Sequence, residues 1–416
     1  MRRVHHRTAV ACIAAAGALT AGLMFAPASS SAHGAHITTV LSGLNAPRGI
    51  TFDNWGHMYV AESGVAGTGP AGLTDTGRVS KYDWGSTTPD WSTSFQSLYV
   101  TEDPSQPPDV LGPEGISASC PSREHDSSAR VNGDYHHHGG CTVQMIMSES
   151  HDGVAAATKG AVQTKDAGHL YGLDPRTGTP TDLSDVGDQS YAFTTAHKHL
   201  FPPDFPDANP FGVLVVRDHH GDEDSRFDGD DHHGQTRTFV VDAAANTVNE
   251  IMPDGTERVV AYIPNERRKP FRDSTPTCAA MGPDGYLYVG TLDLLANFAH
   301  PGRSKIYRVD PNGNFPTRGK LWTKGGLTTL TSCTFDRWGN FWATEMFKPT
   351  SGPPGDVVKI PFHDPSERHY IGAGQLPLPG GITQGPDGAM YVTVNSANPQ
   401  PGSGAVMRIS TYHHHH

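Results

Sequence analysis

Long apolar segments are nearly absent from this sequence of 416 residues. The one continuous apolar run extends from residue 8 to residue 25 and follows Arg2, Arg3 and Arg7. Small residues come next, so cleavage is expected after Ala28 or Ala32, and residues 1–32 are predicted to be a secretory signal peptide. Because no second run of this kind follows, the sequence predicts an exported chain without a membrane span.

Basic residues are in short supply relative to acidic ones. The sequence has 31 Lys and Arg against 43 Asp and Glu, and its formal net charge is −12. Without residues 1–32 three arginines are lost, so 28 basic residues face 43 acidic ones and the charge is −15. Such a chain repels phosphate backbones and anionic lipids, which argues against nucleic-acid or membrane partners. A monomer with a small-molecule or extracellular protein partner is expected.

Familiar catalytic signatures are also missing. The sequence has no GxSxG nucleophile elbow, no HExxH zinc motif and no GxxxxGK[ST] phosphate loop. The four cysteines beyond residue 32 show no CxxC spacing, which argues against a zinc site built from cysteines. An even number of cysteines in an exported chain favours two disulfides, with three possible pairings. We predict the pairs Cys120–Cys141 and Cys278–Cys333.

Glycine and proline, by contrast, are plentiful, with 47 and 33 copies, and they punctuate an internal repeat. In each clear copy a short apolar strand leads into a DNWG, GPDG or DRWG turn, and an alternating strand with an aromatic residue follows. The turns suit glycine because one backbone position needs a positive φ. Trp55 and Trp338 occupy equivalent turns and are predicted to be packing plugs rather than a sugar platform. The copies lie at residues 45–63, 276–291, 331–345 and 379–395, with divergent ones at 209–248 and 110–150.

Six units of three or four strands predict an all-β fold, a single six-bladed β-propeller formed by residues 33–412. The last unit ends at GAVMRIS, residues 404–410, and lacks an outer strand. The segment HITTVLSGL from His36 can supply that strand and close the ring, which removes the exposed edges that an open array would leave. Residues 413–416 are a histidine run, native or a tag, and no inference is drawn from them.

Several segments of this repeat resemble the ScyD/ScyE family of exported bacterial propellers. They are SGLNAPRGITF, DANPFGVLVV, VVDAAANTVNEIMPDGT, MGPDGYLYVG, SKIYRVDPNG and GGITQGPDGAMYVTVNSANPQPGSGAVMRI. Single GPDG turns also occur in NHL and gluconolactonase-like propellers, whereas this ordered series is more specific. The resemblance is weakest between about residues 103 and 207. It implies the propeller fold and, for the family namesakes, an association with a cyanobacterial pigment cluster, but no catalytic residue.

Long loops are expected on one face of the propeller. In each blade the strands a to d run outward from the axis, so the b–c loops of all blades share a face. These loops are long in four blades, at residues 63–77, 292–304, 346–355 and 396–404. Irregular loops on a rigid scaffold often carry binding function, although neutral insertions would look the same in a sequence.

Acidic residues occupy an equivalent place at the end of strand b in three blades. Glu62, Asp242 and Glu345 each lie three residues past an aromatic residue, and Asn395 adjoins this place in the last blade. If the side chains converge at the channel mouth, their oxygens could hold Ca²⁺, which takes six or more oxygen ligands. Alternatively, each carboxylate accepts hydrogen bonds from the backbone of its own loop.

Two histidine-rich inserts are expected at the a–b turns of adjacent blades, on the opposite face. Residues 121–140 lie between Cys120 and Cys141, and residues 218–235 interrupt the third unit. Neutral imidazoles bind Zn²⁺ or Cu²⁺, so a transition-metal site is one interpretation and a pair of solvated polar loops is the other. The histidines concerned are His136, His137, His138, His219, His220, His232 and His233.

These patterns leave three functional hypotheses. The first is a secreted binding scaffold that takes a small molecule or a protein on the face with the long loops. The second is a metal-dependent hydrolase, lactonase or lyase in which a channel cation polarises a carbonyl. The third is an extracellular metal-binding protein that uses the histidine-rich inserts. A channel plugged by apolar side chains favours the first hypothesis, and an open cation site beneath a pocket favours the second.

Overall fold

The computed structural model describes residues 35–411 except residues 66, 68–71, 101–108, 122–139, 159, 201–205, 218–235, 266–272, 324 and 348–353. Within these ranges 25 strands form six antiparallel sheets, which are the six predicted blades. The predicted signal peptide, the terminal histidine run and the seven insert histidines named as candidate ligands lie outside the described residues. None of the described helices is long and apolar enough to cross a membrane.

The first three blades follow one another along the chain, with strands a to d given from the axis outward. Blade 1 contains β2 (Pro47–Phe52), β3 (Met58–Glu62), β4 (Thr74–Tyr82) and β5 (Trp91–Val100), with β6 (Asp109–Leu111) paired to β5. Blade 2 contains β7 (Pro113–Ser119), β8 (Thr142–Met147), β9 (His169–Leu173) and β10 (Pro180–Asp185). Blade 3 contains β11 (Pro210–Arg217), β12 (Thr236–Asp242), β13 (Thr247–Ile251) and β14 (Glu257–Tyr262).

The other three blades complete the ring, and a few short helices lie in the connections. Blade 4 contains β15 (Pro276–Met281), β16 (Leu287–Thr291), β17 (Ile306–Val309) and β18 (Lys320–Leu321). Blade 5 contains β19 (Leu330–Phe335), β20 (Phe341–Glu345), β21 (Gly355–Ile360) and β22 (His369–Leu376). Blade 6 contains β23 (Ile382–Gln384), β24 (Met390–Val394), β25 (Gly404–Thr411) and β1 (Ala35–Leu44). The helices among the described residues are α1 (His151–Thr158), α2 (Val186–Ala196), α3 (Leu294–Ala299) and a 3₁₀ turn (Lys198–Leu200).

The ring is closed by the first strand, as predicted. Strand β1 is the outer strand of blade 6 and pairs with β25 from Ala35 opposite Thr411 to Leu44 opposite Gly404. The inner strands contact one another in ring order, and β2 of blade 1 also contacts β23 of blade 6. Backbone hydrogen bonds between the two ends of the chain therefore hold the ring shut, so an early strand covers what would be an exposed edge.

In the repeated a–b turn, an aspartate holds the turn to strand b by hydrogen bonds. In blade 1 the Asp53 carboxylate accepts hydrogen bonds from the backbone N–H groups of Trp55 and His57, both at 2.9 Å, and from the Tyr59 hydroxyl at 3.0 Å. The same aromatic-to-aspartate bond spans 2.8 to 3.3 Å in three other blades, in the pairs Tyr288–Asp284, Trp342–Asp336 and Tyr391–Asp387. The aspartate and the aromatic residue recur because together they tie the a–b turn to strand b.

The two turn tryptophans correct one expectation. Trp55 and Trp338 were expected to pack as plugs, but they are 50% and 51% exposed. The guanidinium of Arg337 lies over the Trp338 ring, at 4.3 Å from its centroid.

Small residues let the inner strands approach closely. A P-x-G tripeptide opens strand a in blades 1, 2 and 3 and immediately precedes β23 in blade 6. A Cβ atom at the glycine would lie 2.5 to 2.7 Å from a backbone carbonyl oxygen of the next blade, at Gly49, Gly115, Gly212 and Gly381. No side chain fits at such a distance, so glycine is required where neighbouring blades meet around the axis.

Both predicted disulfides are present. Cys278–Cys333 joins β15 to β19 and therefore links the inner strands of blades 4 and 5. Cys120–Cys141 joins the two ends of the first histidine-rich insert, with the Cα atoms 4.1 Å apart. The Cys120–Cys141 bond therefore closes the base of the first insert, as the sequence suggested.

Candidate functional sites on the long-loop face

The face where every strand b ends is called here the long-loop face. Its b–c connections are long in five blades, at residues 63–73, 148–168, 292–305, 346–354 and 395–403, and short in blade 3, at residues 243–246. Because the strands alternate in direction, strand c begins and strand d ends on this face too. Side chains from three places in one blade can therefore meet here.

The predicted acidic residues occupy equivalent places, and each is bonded within its own blade. Glu62, Asp242 and Glu345 are fully buried. Each accepts a hydrogen bond, at 2.6 to 2.9 Å, from a backbone N–H just before strand a of the same blade. The Asn395 amide donates to the Ser403 carbonyl at 2.7 Å, inside its own loop. Among the described residues the three carboxylates do not form a group with ligand atoms within 4.8 Å of one another. Calcium binding at these residues stays a prediction.

The three acids have different neighbours on the adjacent strand. Burial raises the pKa of Glu62, but Arg78, its register partner on β4, forms an ion pair with it at 2.6 Å and opposes that shift. Glu345 instead faces Asp356 on β21. Burial raises the pKa of Glu345 well above its ordinary value, and the charge of Asp356 raises it further. This pair therefore favours a protonated Glu345 that hydrogen-bonds to Asp356.

Asp242 belongs to a buried polar cluster between blade 3 and α2. Register places Asp242 opposite Thr247, and Asn249 and Glu257 follow on the same side of the sheet. The Ser190 hydroxyl of α2 donates to Glu257 Oε2 at 3.0 Å and accepts from Asn249 Nδ2 at 3.2 Å. Burial raises the pKa of Asp242, and burial with the Asp242 charge raises the pKa of Glu257 to about 8. The cluster thus contains two carboxylic acids, Asp242 and Glu257, and no basic side chain. Protonation of a carboxylate therefore stabilises the cluster.

The channel along the axis is narrow and polar. The inner strands of all six blades line a cavity of about 120 Å³. At its long-loop end the guanidinium of Arg48 binds both carboxylate oxygens of Glu114 at 3.1 Å and donates to the Ser396 carbonyl at 3.2 Å. Both side chains are buried, at 5% and 1% exposure. They are the middle residues of the PRG and PEG tripeptides, so the P-x-G repeat was the signal that could have found them.

An apolar cluster covers the same end of the channel on the side of blades 3 to 6. It joins Phe211, which follows the first residue of β11, to side chains from the connections of these blades. Its members are Phe211, Ala243, Leu292, Leu294, Met346, Phe347, Leu378 and Ala397, all buried. Buried apolar side chains and the Arg48–Glu114 ion pair therefore form a plug at the long-loop end of the channel.

A larger pocket lies away from the axis, where the end of β14 in blade 3 meets the connection between β17 and β18 of blade 4. Its volume is about 670 Å³. The lining residues are His199, Leu200, Tyr262, Pro264, Asn265, Phe315, Pro316 and Arg318. Phe315 packs against His197 and Phe193, with ring centroids 4.9 and 5.2 Å apart. Two aromatic rings, a histidine and an arginine thus surround one concave site.

A group of metal-ligand side chains also lies on this face, in blade 2, and sequence reasoning missed it. His151, His169 and Asp185 place one ligand atom each within 4.8 Å of the others. The residues come from the b–c loop, the start of strand c and the end of strand d, at spacings of 18 and 16 residues. No short motif connects them, so only the folded blade brings them together.

Comparison with known proteins supports the fold and no closer relationship. No protein-family model and no curated protein matches the chain. Among solved structures, a protein of unknown function from Bacteroides thetaiotaomicron matches at 10% identity and a TM-score of 0.50, over 90% of this chain and 76% of that one. The calcium-binding protein regucalcin from Agrobacterium tumefaciens matches at 11% identity and a TM-score of 0.42, over 89% and 93%. Virginiamycin B lyase from Staphylococcus aureus matches at 10% identity and 0.41, over 91% and 99%. The chain is a six-bladed β-propeller, and its solved structural neighbours include enzymes and binding proteins.

Proposed function

We propose that this protein is a secreted propeller of the ScyD/ScyE type that binds a small molecule in the pocket between blades 3 and 4. The observation that carries the proposal is the pocket itself, because about 670 Å³ falls within the range of roughly 300–1,000 Å³ typical of small-molecule sites. The apolar cluster at the long-loop end of the channel supports the choice of this pocket over the channel mouth.

The lining of this pocket fits a planar, anionic ligand. Phe315 and Tyr262 offer aromatic surface, and Arg318, His199 and Asn265 offer hydrogen-bond donors. A guanidinium binds a carboxylate or sulfonate through two parallel hydrogen bonds, while an aromatic ring stacks on the flat part of the ligand. Among the described residues that line the pocket, the ionisable side chains include an arginine and a histidine and no carboxylate.

A fluorescent aromatic sulfonate, anilinonaphthalene sulfonate, tests this pocket. We expect the Arg318→Gln variant to bind the probe roughly tenfold more weakly, which is one lost charge-assisted hydrogen bond of about 1.5 kcal/mol. Phe315→Ala should weaken binding by a similar factor through lost stacking. The matched control is Arg176→Gln, an exposed arginine in the turn between β9 and β10. Equal affinities of the native chain, Arg318→Gln and Phe315→Ala for the probe would refute the proposal that this pocket binds an aromatic anion.

Export is tested on the same protein. Mass spectrometry of the protein from the culture medium should find an N-terminus after Ala28 or Ala32. A chain that keeps residues 1–32 and stays inside the cell would contradict secretion.

The calcium prediction is tested separately, on protein purified without a histidine-affinity step. If Glu62 and Glu345 hold calcium, the double variant Glu62→Gln, Glu345→Gln should lose any calcium-dependent rise in melting temperature. An unchanged calcium response in this variant would exclude these residues as ligands. Zinc or copper retention after deletion of His136 to His138 tests the first insert in the same way.

A further inference from the structure

The histidine pair of blade 2 has the geometry of a metal site. The Nε2 atoms of His151 and His169 are 3.0 Å apart, and Asp185 Oδ2 lies 3.7 Å from Nε2 of His169. In a tetrahedral zinc site with Zn–N distances of about 2.0–2.1 Å, two ligand nitrogens lie about 3.3 Å apart. The separations therefore suit one ion between the three side chains.

Hydrogen bonds to the second ring nitrogens fix the orientation of both imidazoles. His169 Nδ1 lies 2.9 Å from Asp182 Oδ2 and His151 Nδ1 lies 2.8 Å from Thr164 Oγ1. The Asp182 carboxylate can only accept, so His169 donates from Nδ1 and, when neutral, keeps its lone pair on Nε2. If His151 donates its Nδ1 proton to Thr164, its Nε2 also carries a lone pair, which points at the lone pair on His169 Nε2. This carboxylate–histidine arrangement is the usual outer shell of a metal-binding histidine.

The backbone holds the third ligand in place. Asp185 is the N-cap of α2, where its Oδ1 accepts a hydrogen bond from the Asp188 N–H at 3.0 Å. Its other oxygen, Oδ2, is the one that faces His169. Gly187 N–H donates to the Gly168 carbonyl at 3.0 Å, and a Cβ atom on Gly168 would lie 2.6 Å from Gly187 Cα. This contact brings the start of β9 against the start of α2 and so sets the distance between His169 and Asp185.

From this geometry we propose that His151, His169 and Asp185 form a binding site for one divalent transition-metal ion, with zinc as the expected occupant. Two imidazole nitrogens favour zinc over calcium, which prefers oxygen ligands. The side chains of His169 and Asp185 are 15% and 35% exposed, so an ion can enter from solvent. Three protein ligands leave a fourth position for water or another small ligand. The site lies within blade 2, away from the channel and from the pocket of the proposed function.

Zinc binding has to be measured without the histidine-rich segments of the chain. The reference protein is therefore the full chain in which the eight insert histidines, His125 among them, and residues 413–416 are replaced by Asn. In equilibrium dialysis at micromolar zinc this protein should bind about one zinc ion. His151→Ala and His169→Ala should each remove that binding. Asp182→Asn should weaken it by roughly 10- to 100-fold, because it removes an outer-shell partner.

The matched control is His57→Ala. His57 also has a close carboxylate partner, with Nδ1 2.7 Å from Asp53 Oδ2, but it belongs to no group of three ligands among the described residues. Its replacement should leave zinc binding unchanged. Because an alanine variant could unfold, anomalous diffraction at the zinc edge gives a second reading on the unsubstituted chain. The proposal is overturned if zinc shows no peak between the two Nε2 atoms, if it binds only at millimolar concentration, or if folded His151→Ala binds it equally well.

Discussion

The buried acid cluster beneath α2 should make the stability of the protein fall as the pH rises. Glu257 has its pKa raised from 4.5 to about 8, first by burial and then by the charge of Asp242. The folded chain therefore keeps a proton that the unfolded chain has already lost. Stability changes with pH in proportion to the protons bound by the unfolded state minus those bound by the folded state, and that difference is negative here.

The size of the effect follows from the shift. One bound proton changes the unfolding free energy by about 1.4 kcal/mol per pH unit, so a shift from 4.5 to about 8 gives at most about 5 kcal/mol. The stabilising contribution is complete below about pH 4.5 and is lost as the pH rises through about 8. Glu257→Gln cannot ionise, and its amide can still accept from the Ser190 hydroxyl. The variant should therefore be more stable than the native chain at high pH by a few kcal/mol.

The assay is urea unfolding of both proteins between about pH 5 and about pH 8 with chelator present. The quantity to compare is the difference between native chain and variant, since Glu345 and Asp242 also titrate with raised pKa values. The matched control is Glu367→Gln, whose carboxylate is 51% exposed and pairs with His369 at the surface. Parallel stability curves for the native chain and Glu257→Gln across this range would refute the reasoning.

Three further substitutions or treatments test the ring itself by the same unfolding measurement. Arg48→Ala removes the guanidinium that binds both oxygens of the buried Glu114 and should cost about 3–5 kcal/mol, whereas a loss below about 1 kcal/mol would contradict the buried ion pair. Gly212→Ala places a Cβ atom 2.5 Å from a carbonyl of the next blade and should cost about 1–3 kcal/mol, and an unchanged stability would mean that the blades can move apart. Reduction of Cys278–Cys333 frees a loop of 55 residues and should cost about 4 kcal/mol, so reduced and oxidised protein with equal stability would contradict that role.

The repeat made most of the fold predictable. Turn motifs with aspartate, glycine and a following aromatic residue marked the a–b hairpins, and the structure shows why they recur, since Asp53 and its equivalents bind the turn and the aromatic side chain together. The missing outer strand of the last unit predicted the pairing of β1 with β25. Both features are local in sequence or follow from closing a ring, so a single sequence contains them.

The P-x-G repeat marks the positions of the plug and the ion pair in the sequence, but it does not predict what the side chains there do. The middle position of the P-x-G tripeptide differs from blade to blade. It holds a phenylalanine at Phe211, a cation at Arg48 and an anion at Glu114. Their roles depend on which blades are neighbours around the axis. Blades 1 and 2 adjoin, which lets Arg48 reach Glu114, and Phe211 of blade 3 meets the loops of blades 4 to 6.

Equivalent positions in a propeller do not make a shared site by themselves. Glu62, Asp242 and Glu345 end strand b, which is separated from the axis by strand a, and neighbouring strands lie about 4.8 Å apart. Rotation around the axis therefore keeps such side chains apart unless they reach inward past strand a, and here each binds the backbone of its own blade instead. Within one blade, however, the ends of strands b and d and the start of strand c lie side by side on one face. Ligands for one ion are more readily assembled there, which is where His151, His169 and Asp185 meet.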